Sequence, residues 1–190
     1  MDGGVILYLH GFCSSPASWK AVLMREELAR RGQAAQFVCP ALSPVPRQAV
    51  AQAEAIIAAA NGPLTLIGSS LGGHYATYLA EKYDLKAVLI NPAVVDRLDG
   101  SEFIGEHRNF HTDAVFQFTA EHGADLLAQV VHAPTPERYW LLVEAGDEVL
   151  DYRHAVERYA GARQSVFAGG DHSFTRFGEM IPDILAFAGM

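Results

Sequence analysis

Apolar residues in this chain gather in short unbroken runs, and between them lie longer stretches with helical spacing. The runs are residues 5–10, 36–40, 64–68, 86–91, 139–145 and 164–168. Most are continuously apolar rather than alternating, which suits strands buried on both faces of a parallel sheet. Residues 16–31, 46–60, 71–82, 151–159 and 174–188 read as helices. In the first of them Trp19, Val22, Leu23, Glu26 and Leu28 combine an apolar stripe with a charged face, and Gly32 closes it. Strand and helix alternate along the chain. That order predicts an α/β fold, a doubly wound and mostly parallel sheet of about six strands with right-handed crossovers. Ligand sites in such sheets sit at the carboxyl ends of the strands.

One region breaks the rhythm. Residues 95–136 show no clear strand and carry His107, His111, His122 and His132 together with Phe103, Phe110, Phe116 and Phe118. A stretch that long is either functional or folds on its own account. Short helices forming a minimal lid are expected there. Its aromatics are read as lid packing, with an acyl pocket as the alternative.

The 190 residues fit one domain, 1–190, with the lid-like segment inside it. A net charge of −8 argues against nucleic acid, which calls for a basic patch. Cys13 and Cys39 are too few for a disulfide scaffold and are read as reduced thiols. Cys39 is expected in the core, and Cys13 either packs or lines the site. The N-terminus has no basic region, so no secretory signal and a cytoplasmic location are expected. Residues 55–80 hold no Asp, Glu, Lys or Arg, but Asn61-Gly62-Pro63 and four later Ser and Gly residues interrupt them. Membrane insertion is therefore not expected.

Candidate chemistry centres on Gly68-Ser69-Ser70-Leu71-Gly72. With 17 Gly and 9 Ser in the chain, a G-x-S-x-G pattern arises by chance about 0.07 times per chain, so context must decide. The context is a buried strand before the motif and a helix after it, the setting of a nucleophile elbow. Side chains two residues either side of Ser70 would collide with strand and helix, which explains glycine at 68 and 72. Gly73 permits closer packing still. The turn lifts the Ser70 hydroxyl to a helix N-terminus, where free N–H groups favour negative charge. A glycine-rich helix start that binds phosphate or only packs is the competing reading, but no P-loop lysine is present.

A serine hydroxyl needs a base, and the base needs an orienting acid. In this fold they follow the nucleophile as acid, then histidine. After residues 139–145 comes Gly146-Asp147-Glu148; after residues 164–168 comes Gly169-Gly170-Asp171-His172. His172 is the candidate base and Asp147 the candidate acid, with Glu148 and Asp151 as competitors. Asp171 is read as a cap for the last helix, and His74 as structural. Developing negative charge on an acyl oxygen needs donors. The N–H of Leu71 is one. The other is expected in His10-Gly11-Phe12-Cys13, from Phe12 first and Cys13 second, with His10 pinning that loop by hydrogen bonds. No histidine spacing matches a metal motif and no cofactor motif is present, so neither is expected.

Taken together, Tyr8-Leu9-His10-Gly11-Phe12, Ile67–Gly73, Ile90-Asn91-Pro92-Ala93-Val94, Gly146–Tyr152 and Gly169–Phe174 resemble the YqiA-like small bacterial esterases, a branch of the α/β-hydrolases. The stretch from Gly146 to Tyr152 is the most distinctive; the likeness is weakest over residues 95–131. The resemblance implies an α/β-hydrolase fold, a triad of Ser70, Asp147 and His172, and a serine esterase or thioesterase acting on small-molecule short acyl esters or acyl-CoA thioesters. The same machinery on a peptide, lactone or carbon–carbon bond is the alternative, and a non-catalytic binding protein of this fold a third.

Overall fold

The computed structural model describes residues 4–190. In chain order the elements are β1 (Val5–Leu9), α1 (Trp19–Arg30), β2 (Phe37–Val38), α2 (Pro46–Ala59), β3 (Leu64–Ser69), α3 (Leu71–Tyr83) and β4 (Lys86–Ile90). Then come β5 (Gly105–Arg108), β6 (Val115–Phe118), α4 (Ala120–Ala128), β7 (Tyr139–Glu144), α5 (Tyr152–Arg158), β8 (Arg163–Phe167) and α6 (Phe177–Phe187). Six strands form one sheet in the order β2-β1-β3-β4-β7-β8, every neighbour parallel.

Strand periodicity sorts the apolar runs onto two faces. Leu7, Leu9, Leu66, Leu89, Leu141 and Val143 point to one side, where Ala53 of α2, Tyr75 and Leu79 of α3, Leu126 of α4 and Ala155 of α5 cover them. Ile6, Tyr8, Ile67, Val88, Ile90 and Leu142 point to the other, against Met24 and Leu28 of α1 and Ile181 and Ile184 of α6. A strand buried on both sides has no polar face to show, which is why these runs lack alternation. No helix among the described residues is long and apolar enough to cross a membrane.

The lid-like segment departs from the expected short helices. It contains 3₁₀ turns and α4, but between them β5 and β6 pair as an antiparallel hairpin, with His107 opposite Phe116. Each strand has only four residues, and Gly-Glu-His-Arg and Val-Phe-Gln-Phe alternate between half-buried and exposed, with Phe118 alone fully buried. Such short amphipathic strands escape a search tuned to continuous apolar runs. Of its phenylalanines, Phe103, Phe116 and Phe118 pack, while Phe110 is exposed. The ring of Phe12 is met edge-on by Phe103, His107, Phe116 and Phe118, with centroids 4.8–6.1 Å away.

Candidate active site

The sheet order reverses between β1 and β3: the chain leaves β1 for β2 on one side and returns to β3 on the other. A reversal of this kind opens a crevice above the strand ends. The loop after β1 and the turn after β3 flank it.

Ser70 stands on that second turn with φ +54° and ψ −122°, a conformation an L-residue holds only when its surroundings impose it. Its N–H donates to the Ile90 carbonyl at 3.0 Å, and its carbonyl accepts from the N–H groups of Gly73 at 2.9 Å and Ala93 at 3.0 Å. The glycines are sterically required. A Cβ on Gly72 would lie 1.9 Å from the Leu9 carbonyl oxygen, and one on Gly68 2.4 Å from that of Gly72. On Gly73 it would lie 2.5 Å from the Pro92 Cβ. The turn therefore presses α3 against β1 and β3 and leaves the Ser70 side chain at the strand ends.

Ser70 Oγ is 3.1 Å from His172 Nε2. The other ring nitrogen, Nδ1, is 3.0 and 2.9 Å from the two carboxylate oxygens of Asp147. A carboxylate only accepts hydrogen bonds, so the imidazole proton belongs on Nδ1 and Nε2 is left to accept from the serine hydroxyl. Asp147 is 1% exposed at its side chain. Its Oδ1 also accepts from the N–H groups of Val149 at 2.9 Å and Leu150 at 2.8 Å, which fixes the carboxylate plane.

The competing acids lie elsewhere. Glu148 accepts from the His172 backbone N–H at 3.0 Å rather than from its ring. Asp151 caps α5, accepting from the Arg153 N–H at 3.0 Å, and its bond to the Arg153 guanidinium holds its carboxyl down at about 2. Asp171 does not cap the last helix. Phe174 has φ +58°, and α6 starts only after Arg176, with no side-chain cap. A left-handed residue cannot continue a helix, so the cap position moved downstream. The Asp171 carbonyl, not its carboxylate, closes the turn onto the Phe174 N–H.

The loop after β1 reaches the serine. A Cβ on Gly11 would stand 3.1 Å from the Ser70 Cβ, so glycine allows this approach. Among the described residues the N–H groups of Phe12 and Leu71 have no protein acceptor. His10 pins the loop as its position suggested: Nδ1 lies 3.0 Å from the Gly11 carbonyl oxygen, and Nε2 accepts from the Leu42 N–H at 3.1 Å. Burial lowers its pKa, in keeping with a neutral ring. From above, the hairpin grips the same loop. The Phe110 N–H donates to the Cys13 carbonyl at 2.8 Å and Asn109 Nδ2 to the Ser14 carbonyl at 2.7 Å. Cys13 is buried with φ +54°, and burial raises its thiol pKa. Cys39 packs at the edge of the core, where burial pushes its thiol up to about 12. His74 is buried beneath α4, among Thr77, Asp96, Arg158 and Tyr159, and burial takes it down to about 4.

Three polar residues that sequence reasoning gave no role also meet here: Lys20 on α1, Asn91 after β4 and Glu144 at the end of β7. Each is buried. The visible signal was a polar residue closing a run of buried apolar ones, as in Tyr-Trp-Leu-Leu-Val-Glu and Val-Leu-Ile-Asn.

Comparison with known proteins places the chain and its fold. The model of an uncharacterised protein family, UPF0227, matches residues 5–189. Among solved structures, a putative hydrolase from Agrobacterium vitis is similar at 19% identity, with 98% of this chain and 88% of that one covered and a TM-score of 0.78. Mouse alpha/beta hydrolase domain-containing protein 10 is similar at 19% identity, 97% and 89% coverage and TM-score 0.73. Est1E from Butyrivibrio proteoclasticus follows at 13% identity, 98% and 87% coverage and TM-score 0.71. At these identities the likeness is one of fold.

Proposed function

The chain belongs to the uncharacterised family UPF0227, the YqiA-like proteins, and has the α/β-hydrolase fold; on that premise we propose that it is a serine hydrolase cleaving small carboxylic esters or thioesters through an acyl-serine intermediate. The observation that carries this reading is the unbroken hydrogen-bonded line from Asp147 through His172 to Ser70. Ser70 Oγ attacks the acyl carbonyl as His172 Nε2 takes its proton, and Asp147 holds the imidazolium that forms. The carbonyl oxygen becomes an oxyanion facing the N–H groups of Phe12 and Leu71. Donors already in place and unengaged need no reorganisation when that charge develops, and each such donor is worth about 3–4 kcal/mol. The intermediate collapses, and His172 returns the proton to the departing alcohol or thiol. Water, deprotonated by the same nitrogen, then releases the acid and restores the serine.

The expected activity is hydrolysis of p-nitrophenyl acetate or butyrate and of short acyl thioesters. On the scale seen when a catalytic serine or its orienting acid is replaced, Ser70→Ala lowers kcat on the order of 10⁶-fold and Asp147→Asn about 10⁴-fold. Ester turnover unaltered by Ser70→Ala contradicts the proposal. A peptide or lactone that outruns every ester under the same conditions keeps the mechanism and replaces the substrate class.

A further inference from the structure

The loop that carries His172 has no regular structure, yet the backbone of three successive residues, Asp171 to Ser173, is held by side chains from three other parts of the chain. Asn91 Nδ2 donates to the carbonyls of Asp171 at 3.0 Å and His172 at 3.1 Å. Lys20 Nζ donates to the carbonyl of Ser173 at 2.7 Å. Glu144 Oε2 accepts from the N–H of Asp171 at 2.8 Å.

The holders are themselves fixed. Asn91 is 3% exposed and sits at φ +40°, a conformation in which Asn and Asp are enriched. Its N–H donates to the Leu142 carbonyl at 2.9 Å, and its Oδ1 accepts from the Glu144 N–H at 3.0 Å. Glu144 is 0% exposed, and its second oxygen accepts from Arg176 Nε at 2.7 Å. The His172 loop is wrapped around this carboxylate: a Cβ on Gly170, at φ +76°, would lie 2.1 Å from Glu144 Cδ. Lys20 is 8% exposed, an uncommon place for an ammonium.

A buried charge is retained only where its partners compensate its lost hydration. Here two buried charges and a buried amide converge on the backbone of one loop. We propose that Asn91, Glu144 and Lys20 are positioning residues for His172, a polar cradle that holds its imidazole within reach of both Ser70 and Asp147. None of the three is bonded to a triad side chain, so the cradle acts through the backbone of residues 171–173. This assignment rests on the proposed acyl-transfer role of His172.

The test is Asn91→Asp. Aspartate keeps the size, the tolerance of positive φ and the Oδ1 that accepts from Glu144, but loses the donors to the two carbonyls. The cradle predicts a kcat for p-nitrophenyl acetate lower on the order of 10- to 100-fold with KM nearly unchanged, since small displacements of a base act on the chemical step. Lys20→Met, which keeps the apolar stem, should act in the same direction, and Lys20→Arg should restore part of the loss. NMR of the histidine ring gives a readout independent of turnover. The His172 Nδ1–H signal, identified by its loss in His172→Gln, should shift or broaden in both variants while those of His10 and His74 stay put. A folded Asn91→Asp with full kcat and an unmoved His172 signal overturns the proposal. So does an unfolded Asn91→Asp alongside a folded Lys20→Met with full kcat and an unmoved signal. If the wild-type protein neither turns over esters nor reacts with a serine probe, the proposed function fails, and the ring signal still decides the cradle.

Discussion

Gly72 leaves no room for a methyl group, because the Leu9 carbonyl oxygen occupies its place. The obstacle is backbone on both sides, so no side chain can swing aside. Gly72→Ala should therefore destabilise the fold by about 3 kcal/mol or more, at the upper end of what overpacking costs; thermal unfolding measures it, and a melting temperature within 2 °C of wild type contradicts the steric account. His74 supports a second argument at this scale. Burial holds it at about 4 in the folded protein, against an ordinary value of about 6.5. Between those values the unfolded chain binds a proton that the folded one refuses, so stability rises with pH across this window and falls as pH drops through it. The effect, summed over the window, is about 3 kcal/mol. Melting curves from pH 7 down to pH 4 should fall less steeply for His74→Gln than for wild type; identical slopes would remove His74 from the acid response. At the residue level the sequence already singled out Ser70, Asp147 and His172, the three side chains that the structure joins by hydrogen bonds. Each lies within two residues of a glycine just past a strand, because the tight turns there require one. The cradle was illegible for the opposite reason: Asn91, Glu144 and Lys20 lie inside or against regular elements, and only the folded arrangement brings them to one loop.

The β5–β6 hairpin is the element where expectation and structure diverge, and its position gives it consequence. It cages the Phe12 ring and bonds the Cys13 and Ser14 carbonyls, so the proposed oxyanion donor and the hairpin form one packed unit. Asn109 also organises the hairpin turn, with Oδ1 accepting from the His111 N–H at 2.9 Å and the Thr112 N–H at 3.1 Å. Removing it frees both turn and loop. Asn109→Ala should reduce kcat/KM for short acyl esters about tenfold, of the order that misplacing a transition-state donor produces. The melting temperature should also drop by several degrees, since three hydrogen bonds of the Asn109 side chain are lost and each kcal/mol shifts it by about 2–4 °C in a chain this size. Unchanged kinetics with a lowered melting temperature would make the hairpin structural only. Its turn also presents Phe110, 79% exposed, beside the loop it grips. The regular helices and sheet strands were readable within a few residues because unbroken apolar runs mark most of the strands and helical spacing marks the helices. Four-residue strands of mixed polarity carry too little pattern to separate from a loop.

For the molecule as a whole, the functional argument comes from topology. The six parallel strands bring loops that lie far apart in sequence to one edge, so Ser70 meets a histidine 102 residues later at hydrogen-bonding distance. Strand–helix alternation alone predicted this layering, since each buried strand needs cover on both faces. It did not extend to the bond that the proposed hydrolase would cleave, because that choice lies with the walls above the strand ends, where the hairpin packs on the loop after β1. The central claim is that Ser70 is a nucleophile activated by His172, and covalent capture tests it most directly. A fluorophosphonate probe followed by peptide mass mapping should add its phosphonyl mass to the peptide bearing Ser70. Labelling should vanish in Ser70→Ala and slow on the order of 10²- to 10⁴-fold in His172→Ala, the range a positioned base contributes. A folded wild-type protein that takes up no probe at Ser70, or one whose labelling rate is indifferent to His172, would contradict the account.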